Sequence, residues 1–187
     1  MQDLKEIATK LKDKIDKIKV MAFDIDGVLT TGHIWYSENE GFNRFSHTSD
    51  GYGLKMMMRA GYKVGVISGG DSLGVKKRFR DNLKLDFCYF GNEDKREAYK
   101  EVLAMGYKDE EILYMGDEFF DAPLLKKAGL GITVPHASQE VKKFADYITN
   151  KEGGQGAVRE IIDIVRYAKD IYPEVVDFDG ALINFKN

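Results

Sequence analysis

Hydrophobic residues in this chain form six short runs that alternate with longer segments of helical periodicity. The short runs, at 20–23, 63–67, 86–90, 112–115, 131–134 and 147–149, have the length of buried strands. The periodic segments lie near 53–60, 72–83, 95–105, 119–128, 139–144 and 157–168. Strict alternation of strand and helix predicts βαβ units, and therefore an α/β fold with a doubly wound, mainly parallel sheet.

Three segments fall outside this alternation. Residues 1–18 are charged, with apolar residues at helical spacing, which predicts an amphipathic helix and excludes a signal peptide. Between about 32 and 47, two aromatic-rich runs flank the turn-prone segment 38–41, which predicts an inserted β-hairpin. The hairpin is too small to be a second domain, so residues 1–187 are predicted to form one domain. The apolar tail at about 170–187 is predicted to dock on its own domain or on a neighbouring subunit.

Composition excludes several classes of function. A net charge of −3 and a pI near 5.7 argue against a nucleic-acid partner, and no apolar run is long enough to cross a membrane. The single cysteine excludes a disulfide framework, so we expect a cytoplasmic protein. The three histidines lack the spacing of zinc ligands.

The first predicted strand ends in two carboxylates, Asp24 and Asp26. Two residues apart in extended chain, they would point to the same side of the strand end, where an α/β sheet opens its ligand crevice. A calcium-binding EF-hand loop is excluded because Val28 and Trp35 would stand at ligand positions and Leu29 where the loop requires glycine. A strand end capped by acidic turn residues remains the alternative, which only partners elsewhere in the chain can decide.

Three further predicted strands are followed by suitable partners: Ser68-Gly69-Gly70, Lys95, and the pair Asp117 and Asp121. Each has an ordinary alternative, namely a strand-to-helix turn, a surface charge and a helix N-cap. Together they place a hydroxyl, a lysine and a second acid pair at the sheet edge that carries Asp24. This combination predicts chemistry on a phosphate monoester.

These four loops resemble the motifs of the haloacid dehalogenase-like phosphatase superfamily, over roughly residues 19–168. The first motif resembles 24–30, the second Ser68, the third Lys95 and the fourth 116–121. The hairpin and the segments 50–53 and 153–160 are similar to the 3-deoxy-D-manno-octulosonate 8-phosphate phosphatase group. The resemblance implies a Rossmann-like fold in which the hairpin is a minimal cap.

The resemblance also implies a role for each matching residue. Asp24 would attack phosphorus to form an aspartyl-phosphate, and Asp26 would act as general acid and base. Mg²⁺ would be held by Asp24, the Asp26 backbone carbonyl and Asp117. Asp121 would support the metal site without binding the ion directly. The remaining implied contacts are to the phosphate and the substrate, through Gly27, Ser68, Gly69, Lys95, Arg44 and His47.

Substrate and assembly are implied less specifically. Gly70 and Gln155 stand where close relatives usually carry arginine, and the segment 47–50 also departs from their pattern. The resemblance implies the eight-carbon sugar acid 8-phosphate as the preferred substrate, and these departures weaken that assignment, so the 9-phosphate of a nine-carbon sialic-type acid is the alternative. A non-catalytic oligomeric module of the same fold is the alternative from another class. The resemblance further implies a homotetramer in which a neighbour's hairpin covers the active site.

Overall fold

The computed structural model describes residues 3–186 and contains a six-stranded, wholly parallel sheet in the order β5-β4-β1-β6-β7-β8. The predicted fold class is confirmed. The strands of this sheet are β1 (Val20–Phe23), β4 (Lys63–Ile67), β5 (Phe87–Tyr89), β6 (Ile112–Met115), β7 (Leu130–Thr133) and β8 (Tyr147–Ile148).

Eight α-helices flank or connect these strands in the described residues. They are α1 (Leu4–Lys10), α2 (Lys12–Ile15), α3 (Thr48–Arg59), α4 (Leu73–Lys76), α5 (Arg96–Ala104), α6 (Ala122–Lys127), α7 (Gln139–Lys142) and α8 (Ala157–Ala168). The N-terminal helix predicted over 1–18 divides into α1 and α2, and its first two residues lie outside the described residues. After α4 the chain continues as a wider helical turn, Lys77–Asn82.

Helix α3 begins at Thr48, five residues before the predicted start. The prediction was wrong because glycine disfavours helix, whereas packing requires it here. A Cβ at Gly53 would lie 3.0 Å from Cδ1 of Ile162 in α8, and one at Gly51 would lie 2.6 Å from Nη2 of Arg78. The glycines therefore let α3 approach its neighbours closely.

Strand β1 lies at the centre of the molecule, and all four of its residues are fully buried. It pairs with β4 on one side and with β6 on the other. The chain thus moves away from β1 in opposite directions along the sheet. Such a switch point opens a crevice outside the carboxyl ends of the strands, where the loops after β1, β4, β5 and β6 lie.

The predicted hairpin consists of β2 (Thr30–Ser37) and β3 (Gly41–Ser46), which pair antiparallel directly after the first loop. Its aromatic rings are exposed although they pack on one another, with Trp35 and Phe45 centroids 4.4 Å apart. The C-terminal tail turns back on itself through a bridge between Val176 and Leu182. Its start at Ile171 packs against the core, but Phe178 is fully exposed. None of the described helices has the length and apolar character needed to cross a membrane.

Candidate active site

Asp24 lies directly after β1 and is 2% exposed. Its backbone amide donates to the carbonyl of Met115, the last residue of β6, and this bond fixes the two strand ends together. Its carboxylate Oδ1 lies 2.8 Å from the Lys95 ammonium. Burial raises the pKa of Asp24 well above its ordinary value, although Lys95 opposes the shift. A further positive charge beside this carboxylate would favour its ionised form.

Lys95, immediately before α5, is buried and forms ion pairs with the carboxylates of Asp24 and Asp121. Its Nζ lies 2.8 Å from Asp24 Oδ1 and 2.6 Å from Asp121 Oδ1. Burial alone would lower its pKa, but the two carboxylates outweigh burial and raise it. The ammonium therefore stays charged between Asp24 and the loop after β6.

Asp121 has both carboxylate oxygens engaged. Oδ1 accepts from Lys95 and from the Tyr114 hydroxyl, and Oδ2 accepts from the backbone amides of Asp117 and Glu118 at 3.0 Å each. These bonds hold the loop that carries Asp117. Asp121 is thereby suited to position its neighbours.

Asp117 lies against the first loop at a contact that requires glycine. A Cβ at Gly27, whose φ is +87°, would lie 2.1 Å from Asp117 Oδ2. That oxygen is also 3.1 Å from Nε2 of His136, whose Nδ1 is 2.8 Å from Glu152 Oε2. The other oxygen, Asp117 Oδ1, is buried without a hydrogen-bond partner in the described residues.

Asp24, Asp117 and Asp121 can each offer one oxygen such that all three lie within 4.8 Å of one another. An orphaned buried oxygen on Asp117 is costly unless a donor or cation meets it. Burial also raises the pKa of Asp117, with His136 opposing the shift. Hard carboxylate oxygens of this kind suit Mg²⁺. The cluster therefore fits a divalent cation, with Asp24 and Asp117 better placed than the fully bonded Asp121.

Asp26 lies on the other side of the first loop, and its side chain is 32% exposed. Both of its oxygens accept from Arg44 in β3, at 2.5 Å from Nε and 2.9 Å from Nη2. The Thr30 hydroxyl also donates to Oδ1 at 3.3 Å. The Asp26 carboxylate is not part of the acidic trio, and the predicted use of its backbone carbonyl stays a prediction.

Ser68, directly after β4, is 2% exposed. Its Oγ accepts from the backbone amide of Gly70 at 3.1 Å, so its proton remains available for an acceptor. A Cβ at Gly70 would lie 3.0 Å from Asp26 Oδ2 and 3.5 Å from Ser68 Oγ. The loop after β4 therefore reaches Asp26 through Gly70, as expected of loops that share one sheet edge, whereas Gly69 lies against Glu93 and its proposed contact with phosphate stays a prediction.

His47 is a predicted site residue that forms none of these hydrogen bonds in the described residues. It caps the start of α3, its Nδ1 is 2.6 Å from Ser49 Oγ, and it lies near Gly156. In the part of the chain that the structure describes, it contacts none of the four carboxylates. Its proposed contact with substrate stays a prediction.

His136 and Glu152 are site residues that the sequence analysis missed. The spacing of zinc ligands requires several histidines or cysteines close together in the sequence. A single histidine that pairs with a distant carboxylate does not show this pattern. The available signal was position, because His136 follows β7, the neighbour of β6, and must reach the same sheet edge. Glu152 precedes Gly153, where a Cβ would lie 1.6 Å from the Gly27 carbonyl oxygen. This loop therefore touches both Asp117, through His136, and the first loop.

Comparisons with known proteins identify the family to which the chain belongs. A family model described as haloacid dehalogenase-like hydrolase matches residues 88–162. The 3-deoxy-D-manno-octulosonate 8-phosphate phosphatase KdsC of Haemophilus influenzae is 33% identical over 160 residues, which cover 85% of this chain and 88% of that protein. The protein of the same name from Salmonella typhi is 30% identical over 164 residues, 87% of each chain.

Two solved structures have the same fold. The 3-deoxy-D-manno-octulosonate 8-phosphate phosphatase from Moraxella catarrhalis, in complex with magnesium, phosphate and KDO, has a TM-score of 0.81 at 31% identity, covering 86% of this chain and 92% of that chain. The cobalt-bound deoxy-D-mannose-octulosonate 8-phosphate phosphatase from Haemophilus influenzae has a TM-score of 0.79 at 33% identity, covering 84% and 92%. Since relatives of 30–33% identity match more than four fifths of both chains, the chain belongs to the haloacid dehalogenase-like phosphatases, in the 3-deoxy-D-manno-octulosonate 8-phosphate phosphatase group.

Proposed function

We propose that this protein is a Mg²⁺-dependent phosphatase of a phosphorylated sugar acid, with 3-deoxy-D-manno-octulosonate 8-phosphate as the preferred substrate. One observation carries the chemistry: the buried Asp24 carboxylate lies against Lys95 and next to Asp117, whose Oδ1 has no partner among the described residues. The names and bound ligands of the relatives support the substrate class. An assay of phosphate release from p-nitrophenyl phosphate with Mg²⁺ separates this proposal from a non-catalytic module, which would release none.

The proposed reaction has two steps. Asp24 attacks phosphorus and forms an aspartyl-phosphate, while Asp26 donates a proton to the departing sugar oxygen. Asp26 then accepts a proton from water, which attacks the aspartyl-phosphate, releases inorganic phosphate and regenerates Asp24. The Asp24 oxygen suited to attack is Oδ2, because Oδ1 is paired with Lys95.

Lys95 and Ser68 would stabilise the transferring phosphoryl group. The Lys95 charge lies beside the attacking carboxylate, and the Ser68 proton is available as a donor. Gly27 and Gly69 would contact the phosphate through their backbone, and Gly27 also gives Asp117 the space to lie against the first loop. When bound by Asp24 and Asp117, with Asp121 holding Asp117 in place, Mg²⁺ supplies the positive charge that offsets repulsion between carboxylate and phosphate.

Removing divalent metal should eliminate turnover, and adding Mg²⁺ should restore it. Calcium should inhibit, because it accepts more oxygen ligands at longer distances and would bind Asp24 in a way that blocks attack. The measurement is phosphate release after dialysis against a chelator, with each metal added back. Full activity in the chelator would contradict the proposed metal dependence.

His136 should position Asp117 for metal binding. Replacing it by alanine removes the contact to Asp117 Oδ2, and loss of such a supporting contact typically weakens metal affinity about 10- to 100-fold. Mg²⁺ affinity is measured by calorimetry, and turnover at saturating Mg²⁺ should change much less. Lys100→Ala, at an exposed position of α5 away from both the site and the hairpin, is the control. Equal Mg²⁺ affinity in wild type and His136→Ala would exclude this role.

The hairpin is proposed to lie at a subunit interface of a homotetramer and to cover a neighbour's active site. Its exposed aromatic rings support this, since a two-stranded hairpin is marginal in water by itself. Trp35→Glu should shift the assembly toward monomer because the charge would lose its solvation in the interface. Sedimentation velocity is the measurement, and Met105→Glu, at an exposed position after α5, is the control. A wild-type monomer at micromolar concentration would contradict the interface.

The 9-phosphate of a nine-carbon sialic-type acid is the second candidate substrate. Gly70 and Gln155 favour it, because each removes an arginine expected in relatives that act on the eight-carbon acid. Both candidate substrates carry a carboxylate as well as a phosphate. Whichever of them is preferred, the protein must therefore have a group that binds the substrate carboxylate.

A further inference from the structure

Arg44 makes a contact that is unusual for a residue of an exposed hairpin. Its side chain is 9% exposed, whereas the aromatic residues on both sides of it, Phe42 and Phe45, are more than half exposed. The guanidinium binds both oxygens of Asp26 and donates through Nη1 to Ser72 Oγ at 2.9 Å and to the Phe42 carbonyl at 3.2 Å. The hairpin thereby places one buried cation on the proposed general acid and base.

Gly70 provides the space for this contact. A Cβ at position 70 would lie 3.0 Å from Arg44 Nη2 and 3.0 Å from Asp26 Oδ2, tighter than an ordinary contact. The φ of Gly70 is not in the left-handed region, so the backbone conformation does not require glycine there. Any side chain at position 70 would crowd the paired groups, and a long one would displace Arg44.

A cavity of about 240 Å³ lies between the hairpin and α4, and Arg44, but not Asp26, lines it. Its described lining includes Arg44, Arg78, Asn43 and Trp35 and no acidic side chain. The Nε of Arg78 is buried without a hydrogen-bond partner in the described residues. Ligand pockets usually measure about 300–1,000 Å³. The cavity therefore suits one anionic end of a substrate better than a whole phosphorylated sugar.

Resting on the proposed function, we propose that Arg44 is a specificity-determining residue that exchanges the Asp26 carboxylate for the carboxylate of the sugar acid. While Arg44 holds both Asp26 oxygens, the carboxylate is fixed against the hairpin and cannot turn toward the leaving oxygen without breaking one of these two bonds. A planar carboxylate is the group that matches a guanidinium in the same bidentate manner. A sugar acid that enters the cavity takes over Arg44 and frees Asp26, whereas a neutral phosphosugar leaves the pair closed.

The test compares kcat/KM for 3-deoxy-D-manno-octulosonate 8-phosphate and for glucose 6-phosphate, both with Mg²⁺. In Arg44→Met, kcat/KM for the sugar acid should fall about 10- to 100-fold, as expected for one lost charge-assisted contact. For glucose 6-phosphate, kcat/KM should stay the same or rise, because Arg44 no longer holds the Asp26 carboxylate. Arg44→Lys should lose most of the selectivity as well, since lysine lacks the bidentate fork.

A control variant and a binding measurement complete the design. Arg96→Met, at an exposed arginine paired with Asp94, should leave both rates unchanged. In the inactive Asp24→Asn background with Mg²⁺, adding Arg44→Met should weaken calorimetric binding of the sugar acid phosphate but not of glucose 6-phosphate.

The outcomes separate this inference from the proposed function. Equal losses on both substrates would make Arg44 a general positioning residue for Asp26 and overturn the exchange. An unchanged sugar acid rate would overturn it too. If the wild type released phosphate from no ester with Mg²⁺, the proposed function would fail and the exchange with it.

Discussion

Asp24→Asn should lose phosphatase turnover by about 10⁴-fold or more while the protein stays folded. The amide has nearly the shape of the carboxylate but cannot serve as the nucleophile. Folding should survive because Lys95 keeps its second partner, Asp121. The measurements are phosphate release with Mg²⁺ and the thermal unfolding curve of the freshly purified variant.

Asp26→Asn is the matched comparison in the same loop. Because it removes acid and base assistance but leaves the nucleophile, its loss should be smaller, about 10²- to 10⁴-fold. Asp26 is also more exposed than Asp24, so the substitution disturbs less of the core. Near-wild-type turnover by Asp24→Asn, in protein free of deamidation, would contradict the assigned nucleophile.

Lys95→Met should reduce both stability and activity. The ammonium is buried between Asp24 and Asp121, and removing one partner of a buried ion pair typically costs about 3–5 kcal/mol in the free energy of unfolding. Mg²⁺ should restore part of that loss, since a bound cation compensates the same carboxylates and stabilises the folded state that binds it. The kcat should fall about 10²- to 10³-fold with the loss of one charge beside the reacting group.

Urea unfolding with and without Mg²⁺ measures the stability change. Lys100→Met is the control on the same helix, because its exposed pair with Glu97 is worth about 1 kcal/mol at most. If Lys95→Met cost no more than Lys100→Met, or if Mg²⁺ had no effect on it, the lysine would not be the charge that holds the buried acids together.

The parts of the site that follow strands could be predicted from the sequence. Asp24, Ser68, Lys95 and Asp117 come after β1, β4, β5 and β6, and the loops of parallel strands meet at one edge of the sheet. Their proximity therefore depends on the topology of the sheet. The alternation of short hydrophobic segments with helical segments already indicates that topology. The roles of these residues as nucleophile, phosphate contacts and metal ligand rest on the proposed reaction and not on their positions alone.

Contacts that depend on packing could not be predicted. The Arg44–Asp26 pair exists because the hairpin folds back over the first loop and Gly70 leaves room, and no local pattern encodes that orientation. His136 was missed because its partner Asp117 lies nineteen residues away on another strand end. The predicted start of helix α3 was too late because glycine has a low helix propensity. Here the close packing that Gly53 allows against α8 outweighs that propensity.

A sugar acid phosphatase with Asp24 as nucleophile is tested by measuring kcat/KM with Mg²⁺ for three kinds of phosphate ester: the eight-carbon sugar acid 8-phosphate, a nine-carbon sialic-type acid 9-phosphate, and neutral phosphosugars. We expect the highest value for one of the two sugar acid phosphates, with the eight-carbon acid first, and loss of all turnover in Asp24→Asn. Higher values for neutral phosphosugars, or phosphate release that does not depend on Asp24, would contradict this assignment.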